Sequence, residues 1–137
     1  MKKFQRVLLV DDDTVTNYVN EELIQDLRIT DQVNVAENGA LALDFLRRNW
    51  ISSDNTVKSD CTGSLILLDL KMPVMDGFDF LEEFQKFKVN HHIQVVLLTT
   101  SENHKDLERA RNYQVAAYLI KPLTAEKISQ LMDNIRE

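Results

Sequence analysis

The sequence predicts an α/β fold, a parallel sheet with helices on both faces, and three observations carry the prediction. Five short apolar runs, Arg6–Val10, Val33–Ala36, Leu65–Leu68, Val95–Leu98 and Ala116–Ile120, alternate with segments whose apolar residues recur at helical spacing. Strands that alternate with helices of this length pair in parallel, because each return to the sheet needs a crossover. Two of the runs also end in acid: Val7-Leu8-Leu9-Val10 leads into Asp11-Asp12-Asp13, and Leu65-Ile66-Leu67-Leu68 leads into Asp69. A buried parallel strand is apolar throughout, so carboxylates at its end mark the edge where open α/β sheets bind ligands. Finally, 137 residues with 44% hydrophobic and 28% charged composition suit a single domain, 1–137, large enough to bury a core.

Each element follows in order. Arg6–Val10 is the first strand. The next segment carries Val15, Val19, Leu23, Ile24 and Leu27 at helical spacing. Thr14 is a candidate cap for that helix and Asp13 a turn or capping residue. Val33–Ala36 is the second strand, and Leu41, Leu43, Phe45 and Leu46 form the helical stripe after Asn38-Gly39. Leu65–Leu68 is the third strand. Asp76-Gly77 reads as the turn into a helix whose Phe78, Leu81, Phe84 and Phe87 face the core. Val95–Leu98 and Ala116–Ile120 complete the strands, with Leu107 and Ala110 on the helix between them. The last helix starts near Thr124, a capping residue, and carries Ile128, Leu131, Met132 and Ile135. Right-handed crossovers leave few topologies for five strands and five helices, and they favour the flavodoxin-like order 2-1-3-4-5. In that order the first and third strands are neighbours, so Asp11, Asp12 and Asp69 meet.

The segment 50–63 has no periodic pattern and is rich in Ser, Asp, Asn and Thr, so it reads as a long polar loop. Buried, its Trp50 would plug the base of the loop; exposed, it would be an interface anchor. The lone cysteine, Cys61, cannot form an internal disulfide and reads as a free thiol in a cytoplasmic protein. A formal charge of −6 argues against nucleic-acid or anionic-membrane binding, and no run reaches transmembrane length. His91, His92 and His104 lack the company that zinc sites need, and no glycine-rich nucleotide loop is present.

Carboxylates gathered at one sheet edge repel one another, and a hard cation with oxygen ligands, Mg²⁺, relieves that repulsion. Mn²⁺ suits the same donors. The other strand ends add Thr99-Thr100-Ser101 and Lys121-Pro122. Carboxylates, a hydroxyl and a lysine around a cation make a site for a phosphoryl group, whose transfer is mostly positioning and charge stabilisation. One carboxylate can itself be the nucleophile and carry an acyl phosphate.

The pieces Leu8-Leu9-Val10-Asp11-Asp12, then Leu67-Leu68-Asp69-Leu70-Lys71-Met72-Pro73-Val74-Met75-Asp76-Gly77, then Thr99, then Tyr118-Leu119-Ile120-Lys121-Pro122 resemble, in order, the receiver domains of response regulators in two-component signalling. The resemblance implies that Asp69 accepts a phosphoryl group from a sensor histidine kinase or a histidine phosphotransfer protein. Asp12 and Asp69 would bind Mg²⁺ directly, Asp11 largely through water, and the backbone carbonyl of Lys71 would complete the protein ligands. Lys121 would pair with the phosphoryl oxygens, its bond to Pro122 being cis. Thr99 and Tyr118 would move together and reshape the face of the fourth helix, fifth strand and fifth helix for a downstream protein partner. A homodimer through that face is one outcome the resemblance allows. Enzymatic activity would be limited to self-phosphorylation and slow autodephosphorylation.

Departures from the pattern fall around the acceptor. Thr100 is bulkier than the very small residue usual after the switch threonine. Lys71 and Ser101 stand two residues beyond Asp69 and Thr99, where this family flanks the phosphoryl group, so Lys71, Thr100 and Ser101 are expected to set its lifetime. Two rival readings remain open. Asp11-Asp12-Asp13-Thr14-Val15 also fits the nucleophile motif of haloacid-dehalogenase-like phosphatases, with Asp11 attacking, although only the scattered Glu126 and Asp133 follow Lys121 to complete such a site. A binding module that is never phosphorylated is the other. The chain ends just after its last helix, so the expected output runs through partner proteins, dimerisation or onward transfer of phosphate in a relay. Its long loop is similar to that of receivers paired with phytochrome-type kinases.

Overall fold

A computed structural model describes residues 3–89, 91–100 and 104–135. Along the chain run β1 (Val7–Val10), α1 (Thr14–Asp26), β2 (Val33–Ala36), α2 (Gly39–Asn49), β3 (Ser64–Leu68), α3 (Gly77–Phe84), β4 (Ile93–Thr99), α4 (His104–Ala110), β5 (Ala117–Ile120) and α5 (Ala125–Ile135), with one 3₁₀ turn at Ser59–Cys61. The sheet order is β2-β1-β3-β4-β5 with every pairing parallel, the flavodoxin-like arrangement expected from the alternation of elements. Val10 stands opposite both Ala36 and Leu68, which sets the ends of β1 and β3 side by side.

Alternation along the strands splits the core in two. Leu8, Val10, Ile66, Leu68 and Leu97 pack with α2 and α3 on one side of the sheet. Val7, Leu9, Leu65, Leu67, Val96 and Leu98 pack with Ile24 of α1 and Ile128 and Leu131 of α5 on the other. β1 and β3 are buried along their whole length, as strands covered on both faces must be. Of the expected core-facing residues, Phe78, Leu81 and Phe84 are buried on α3, whereas Phe87 is buried beyond the helix's end. Phe80, outside the expected set, is buried too and stacks on Phe84 with ring centroids 5.5 Å apart.

Two local readings are corrected. The cap of α1 is Asp13, whose side chain accepts hydrogen bonds from the backbone N–H groups of Val15 and Thr16, while Thr14 opens the helix proper. The inward face of α1 is also not its apolar stripe. Val15 is 68% and Val19 54% exposed, and the buried side chains are Asn17, Asn20 and Ile24. The physical reason is position: the start of α1 lies against the acidic end of the sheet, where Asn17 Nδ2 donates to the Asp11 carbonyl at 2.8 Å.

The loop 50–63 is polar in composition yet anchored by apolar residues. Trp50, Ile51 and Cys61 are buried in the core on the α2–α3 side, and the Trp50 indole meets the edge of Phe45 at 5.8 Å. Trp50 is thus the plug rather than the exposed anchor. Ile51 pairs with Val57 in a bridge, and the Lys88 N–H donates to the Asn55 carbonyl at 2.7 Å, tying the loop to the segment after α3. The Cys61 thiol is free and buried.

Candidate functional site

The site forms where β1 and β3 stop. The register of these strands continues one step beyond their ends, since the Asp69 N–H donates to the Val10 carbonyl at 2.9 Å and the Asp11 N–H to the Ala36 carbonyl at 3.1 Å. Both aspartates are therefore fixed by sheet geometry before their side chains contribute anything. Asp11 and Asp69 are buried, whereas Asp12 is exposed at the rim. One carboxylate oxygen from each of Asp11, Asp12 and Asp69 lies within 4.8 Å of the others. Opposite oxygens around Mg²⁺ stand about 4.2 Å apart, given metal–oxygen bonds of about 2.1 Å, so small side-chain adjustments suffice for these donors to share such an ion.

Asp11 is held from three directions. Its Oδ2 accepts from the Lys121 ammonium at 2.6 Å, its Oδ1 from the Asp13 N–H at 2.9 Å, and its backbone carbonyl from Asn17 Nδ2 at 2.8 Å. Asp69 is held more loosely: Lys121 Nζ lies 3.6 Å from Oδ2, and the Lys71 N–H donates to Oδ1 at 3.4 Å. Burial raises the Asp69 pKa to about 6, with the Asp11 charge pushing the same way and Lys121 opposing. Lys121 shows the reverse balance. Its burial favours the neutral amine, but the hydrogen bond to Asp11 and the charge of Asp69 prevail and raise its pKa. Around neutral pH the site thus holds an ionised but disfavoured carboxylate beside a firmly charged ammonium.

The backbone after Asp69 needs glycine close by. A Cβ on Gly77 would stand 2.7 Å from the Asp69 carbonyl oxygen and 2.8 Å from the Leu70 Cα, and the Gly77 N–H donates to the Leu70 carbonyl at 3.0 Å. Asp76 caps α3 in a reciprocal capping box with Asp79, so Asp76-Gly77 is the helix entry the sequence suggested and also the buttress of the end of β3. Between them Val74 adopts a left-handed conformation (φ 68°) and is 85% exposed, an unfavourable state for a β-branched residue.

Thr99 ends β4 fully buried, and its carbonyl accepts from the Lys121 N–H at 2.8 Å, so the threonine and the lysine are joined through the backbone. The Lys121–Pro122 bond is cis, as the resemblance implied. Tyr118 is half-buried opposite Leu97 and packs against the α2–α3 side of the core. Thr100 is exposed, and Ser101 lies outside the described residues. His91, His92 and His104 are exposed, and among the described residues the aspartate trio is the one group with metal-binding spacing.

Three contributors were missed by the sequence reading. Asn17 holds the Asp11 carbonyl, and its spacing to Asn20 and Ile24 on one helical face was the available signal. Lys127 in the first turn of α5 donates to the Ile120 carbonyl at 2.5 Å and the Pro122 carbonyl at 2.9 Å, gripping the chain on either side of Lys121. Asp106 in α4 pairs with the Lys71 ammonium at 3.5 Å. Neither of the last two had any signal in the sequence, because both pairings depend on tertiary placement.

Comparison with known proteins agrees with this geometry. The family model for the response regulator receiver domain matches residues 7–133. The chain is 31% identical over 131 residues to the probable methanogenesis regulatory protein FilR2 of Methanothrix harundinacea, covering 96% of this chain and 81% of that one. It is 24% identical to the chemotaxis protein CheY-3 of Vibrio cholerae, over 100% of this chain and 95% of the other. Among solved structures, the bacteriophytochrome response regulator AtBRR superposes with a TM-score of 0.73 at 28% identity, covering 96% of this chain and 92% of its own.

Proposed function

Since the chain belongs to the response regulator receiver family of two-component signalling, we propose that Asp69 is its phosphoacceptor and that the acid trio, Thr99 and Lys121 form the transfer site. One observation carries the reading. A buried carboxylate at the end of the central strand, disfavoured as an anion, faces two further carboxylates and one ammonium that touches both buried acids. Asp69 is a better nucleophile than Asp11, because the Asp11 oxygens are engaged closely, by Lys121 at 2.6 Å and the Asp13 N–H at 2.9 Å, and those of Asp69 only at 3.6 and 3.4 Å. That occupancy speaks against the phosphatase alternative.

In the proposed step an Asp69 oxygen attacks the phosphorus of a phosphohistidine on a kinase or phosphotransfer protein. The P–N bond breaks, its electron pair returns to the imidazole, and an acyl phosphate forms. Asp11, Asp12, Asp69 and the Lys71 backbone carbonyl would hold Mg²⁺ (or Mn²⁺), which when bound supplies positive charge to the phosphoryl oxygens. Lys121 exchanges part of its contact with the two carboxylates for a phosphoryl oxygen. The Thr99 hydroxyl donates to another, and Tyr118, one strand over, follows the space it leaves. The new charge, close to −2, biases the face of α4, β5 and α5 toward a downstream protein partner or a second copy of the chain. Hydrolysis runs by attack of water on phosphorus, returning the Asp69 carboxylate and inorganic phosphate.

The match over residues 7–133 supports reading 1–137 as one receiver unit with an enlarged loop at 50–63. Among the described residues no helix is long and apolar enough to cross a membrane. We place the chain in the cytoplasm, where the phosphohistidine of a sensor kinase is presented. Incubation with Mg²⁺ and acetyl phosphate, followed by intact mass, tests the reading. One phosphoryl group should be gained, and the gain should vanish in Asp69→Asn and on chelation of the metal. A parent protein that takes up no phosphoryl group would instead be a passive binding module.

A further inference from the structure

Lys71 lies beside the acceptor in the chain, yet its ammonium points elsewhere. Its backbone N–H reaches Asp69 Oδ1 at 3.4 Å, while its Nζ stands 3.5 Å from Asp106 Oδ2 in the first turn of α4. The lysine side chain is 65% exposed and the Asp106 side chain only 14%, so the aspartate is the fixed partner and the lysine the mobile one. The other end of α4 and the turn after it are tied independently to α3. The Arg109 guanidinium sits 4.1 Å over the Phe78 ring, and the Tyr113 hydroxyl donates to Glu82 at 2.8 Å. The Lys71–Asp106 pair is thus a separate tether on the end of α4 nearest Thr99.

From this geometry we infer that Asp106 is a positioning residue that acts through Lys71, holding its ammonium on α4 and away from the phosphoryl group that Asp69 receives. The inference rests on the reading of Asp69 as the phosphoacceptor. A phosphoryl group near −2 beside Asp69 competes with one carboxylate for the same flexible cation. Whatever fraction of the ammonium leaves Asp106 shields the acyl phosphate from water and at the same time weakens one tether of the first turn of α4. The lifetime of the modified state and the freedom of α4 are then set by one exchange. Asp106 governs both without touching the reacting atoms.

A double-mutant cycle on acyl-phosphate lifetime tests this. The full chain is loaded with Mg²⁺ and acetyl phosphate, freed of excess donor, and followed by intact mass. Asp106→Asn, which frees the lysine, should lengthen the lifetime about two- to fivefold, the scale of one partly exposed ion pair. Lys71→Met should shorten it, and in the Lys71→Met background Asp106→Asn should have no further effect. Asp106→Glu, which keeps the charge, should restore a lifetime near that of the parent. Equal effects of Asp106→Asn with and without Lys71, an unchanged lifetime, or a shortened one would each overturn the assignment. A parent that gains no phosphoryl group would overturn the Asp69 reading and this inference together, whereas a labelled protein with additive variants overturns this inference alone. The Lys71 side chain is exposed and Asp106→Asn is nearly isosteric, and matching circular dichroism spectra guard against misfolded variants.

Discussion

Replacing Asp69 by Asn should make the protein more stable, and the gain should depend on pH. The Asp69 pKa is raised from 3.8 to about 6 in the folded chain, chiefly by burial and then by Asp11. A raised carboxyl pKa means that the folded state binds the proton more tightly than the unfolded chain does. Asp69 therefore costs nothing below about pH 3.8, and stability is lost as pH rises through about 6. Asn imitates the protonated acid and escapes that loss. A shift of about two pKa units at 1.36 kcal/mol each gives a gap of about 3 kcal/mol at pH 7.5, shrinking to about 1 kcal/mol at pH 4.5. For a chain of this size the larger gap raises Tm by about 10 °C. Urea unfolding of both proteins at the two pH values in metal-free buffer gives the comparison. Mg²⁺ at 100 times its dissociation constant should then stabilise the parent by about 2.7 kcal/mol and nearly close the gap. A variant less stable than the parent at pH 7.5, or a gap equal at both pH values, would refute the claim that Asp69 is held in an unfavourable charge state.

Other substitutions separate the roles of neighbouring groups. Lys121→Met removes the ammonium that contacts Asp11 at 2.6 Å and Asp69 at 3.6 Å. It should destabilise the metal-free protein by about 1–3 kcal/mol and slow phosphorylation from acetyl phosphate by about 10²-fold; a rate within a factor of two of the parent contradicts a role at the phosphoryl oxygens. Lys127→Met loosens the grip on the Ile120 and Pro122 carbonyls. It should slow phosphorylation about three- to tenfold, on the scale of one or two charge-assisted hydrogen bonds, with Mg²⁺ affinity unchanged in a fluorescence or calorimetric titration. Trp50→Ala empties a fully buried indole site at the base of the loop and should cost about 3–5 kcal/mol in urea unfolding. Phosphorylation of the folded fraction should proceed at the parent rate, because the plug packs in the core on the α2–α3 side against Phe45.

The sequence was most legible where one physical constraint dominates. A strand covered on both faces has to be apolar, so β1 and β3 were visible as runs and their ends as acids. The helix entry at Asp76-Gly77 was visible because capping has its own residue chemistry. Where two constraints compete, reading failed. Val15 and Val19 sit at helical spacing with Leu23, yet the end of α1 beside the acids must present Asn17 to a carbonyl, so polarity rather than hydrophobicity selects the inward face there. The loop 50–63 was misleading for a related reason. Its average composition is polar, but its few apolar residues, Trp50, Ile51 and Cys61, anchor it in the core. The pairings Lys71–Asp106 and Lys127 with two carbonyls are products of tertiary placement and leave no local pattern to read.

In the proposed reading, the same electrostatic imbalance is what lets the site work as a switch. Backbone pairing, through Val10 to Asp69 and Ala36 to Asp11, fixes the buried acids irrespective of their charge. The sheet therefore cannot relax to relieve their repulsion, and the cost stays localised in side chains. Relief comes through a proton, a cation or covalent change at Asp69, and each of these alters how Lys121 divides itself between Asp11 and Asp69. Lys121 in turn is bound through its own N–H to the carbonyl of Thr99 and flanked by the Lys127 grip. Under the proposed function, a change of charge at one carboxylate would be delivered along these bonds to the ends of β4 and β5. A more relaxed set of acids would bind a cation less eagerly and would have less to transmit.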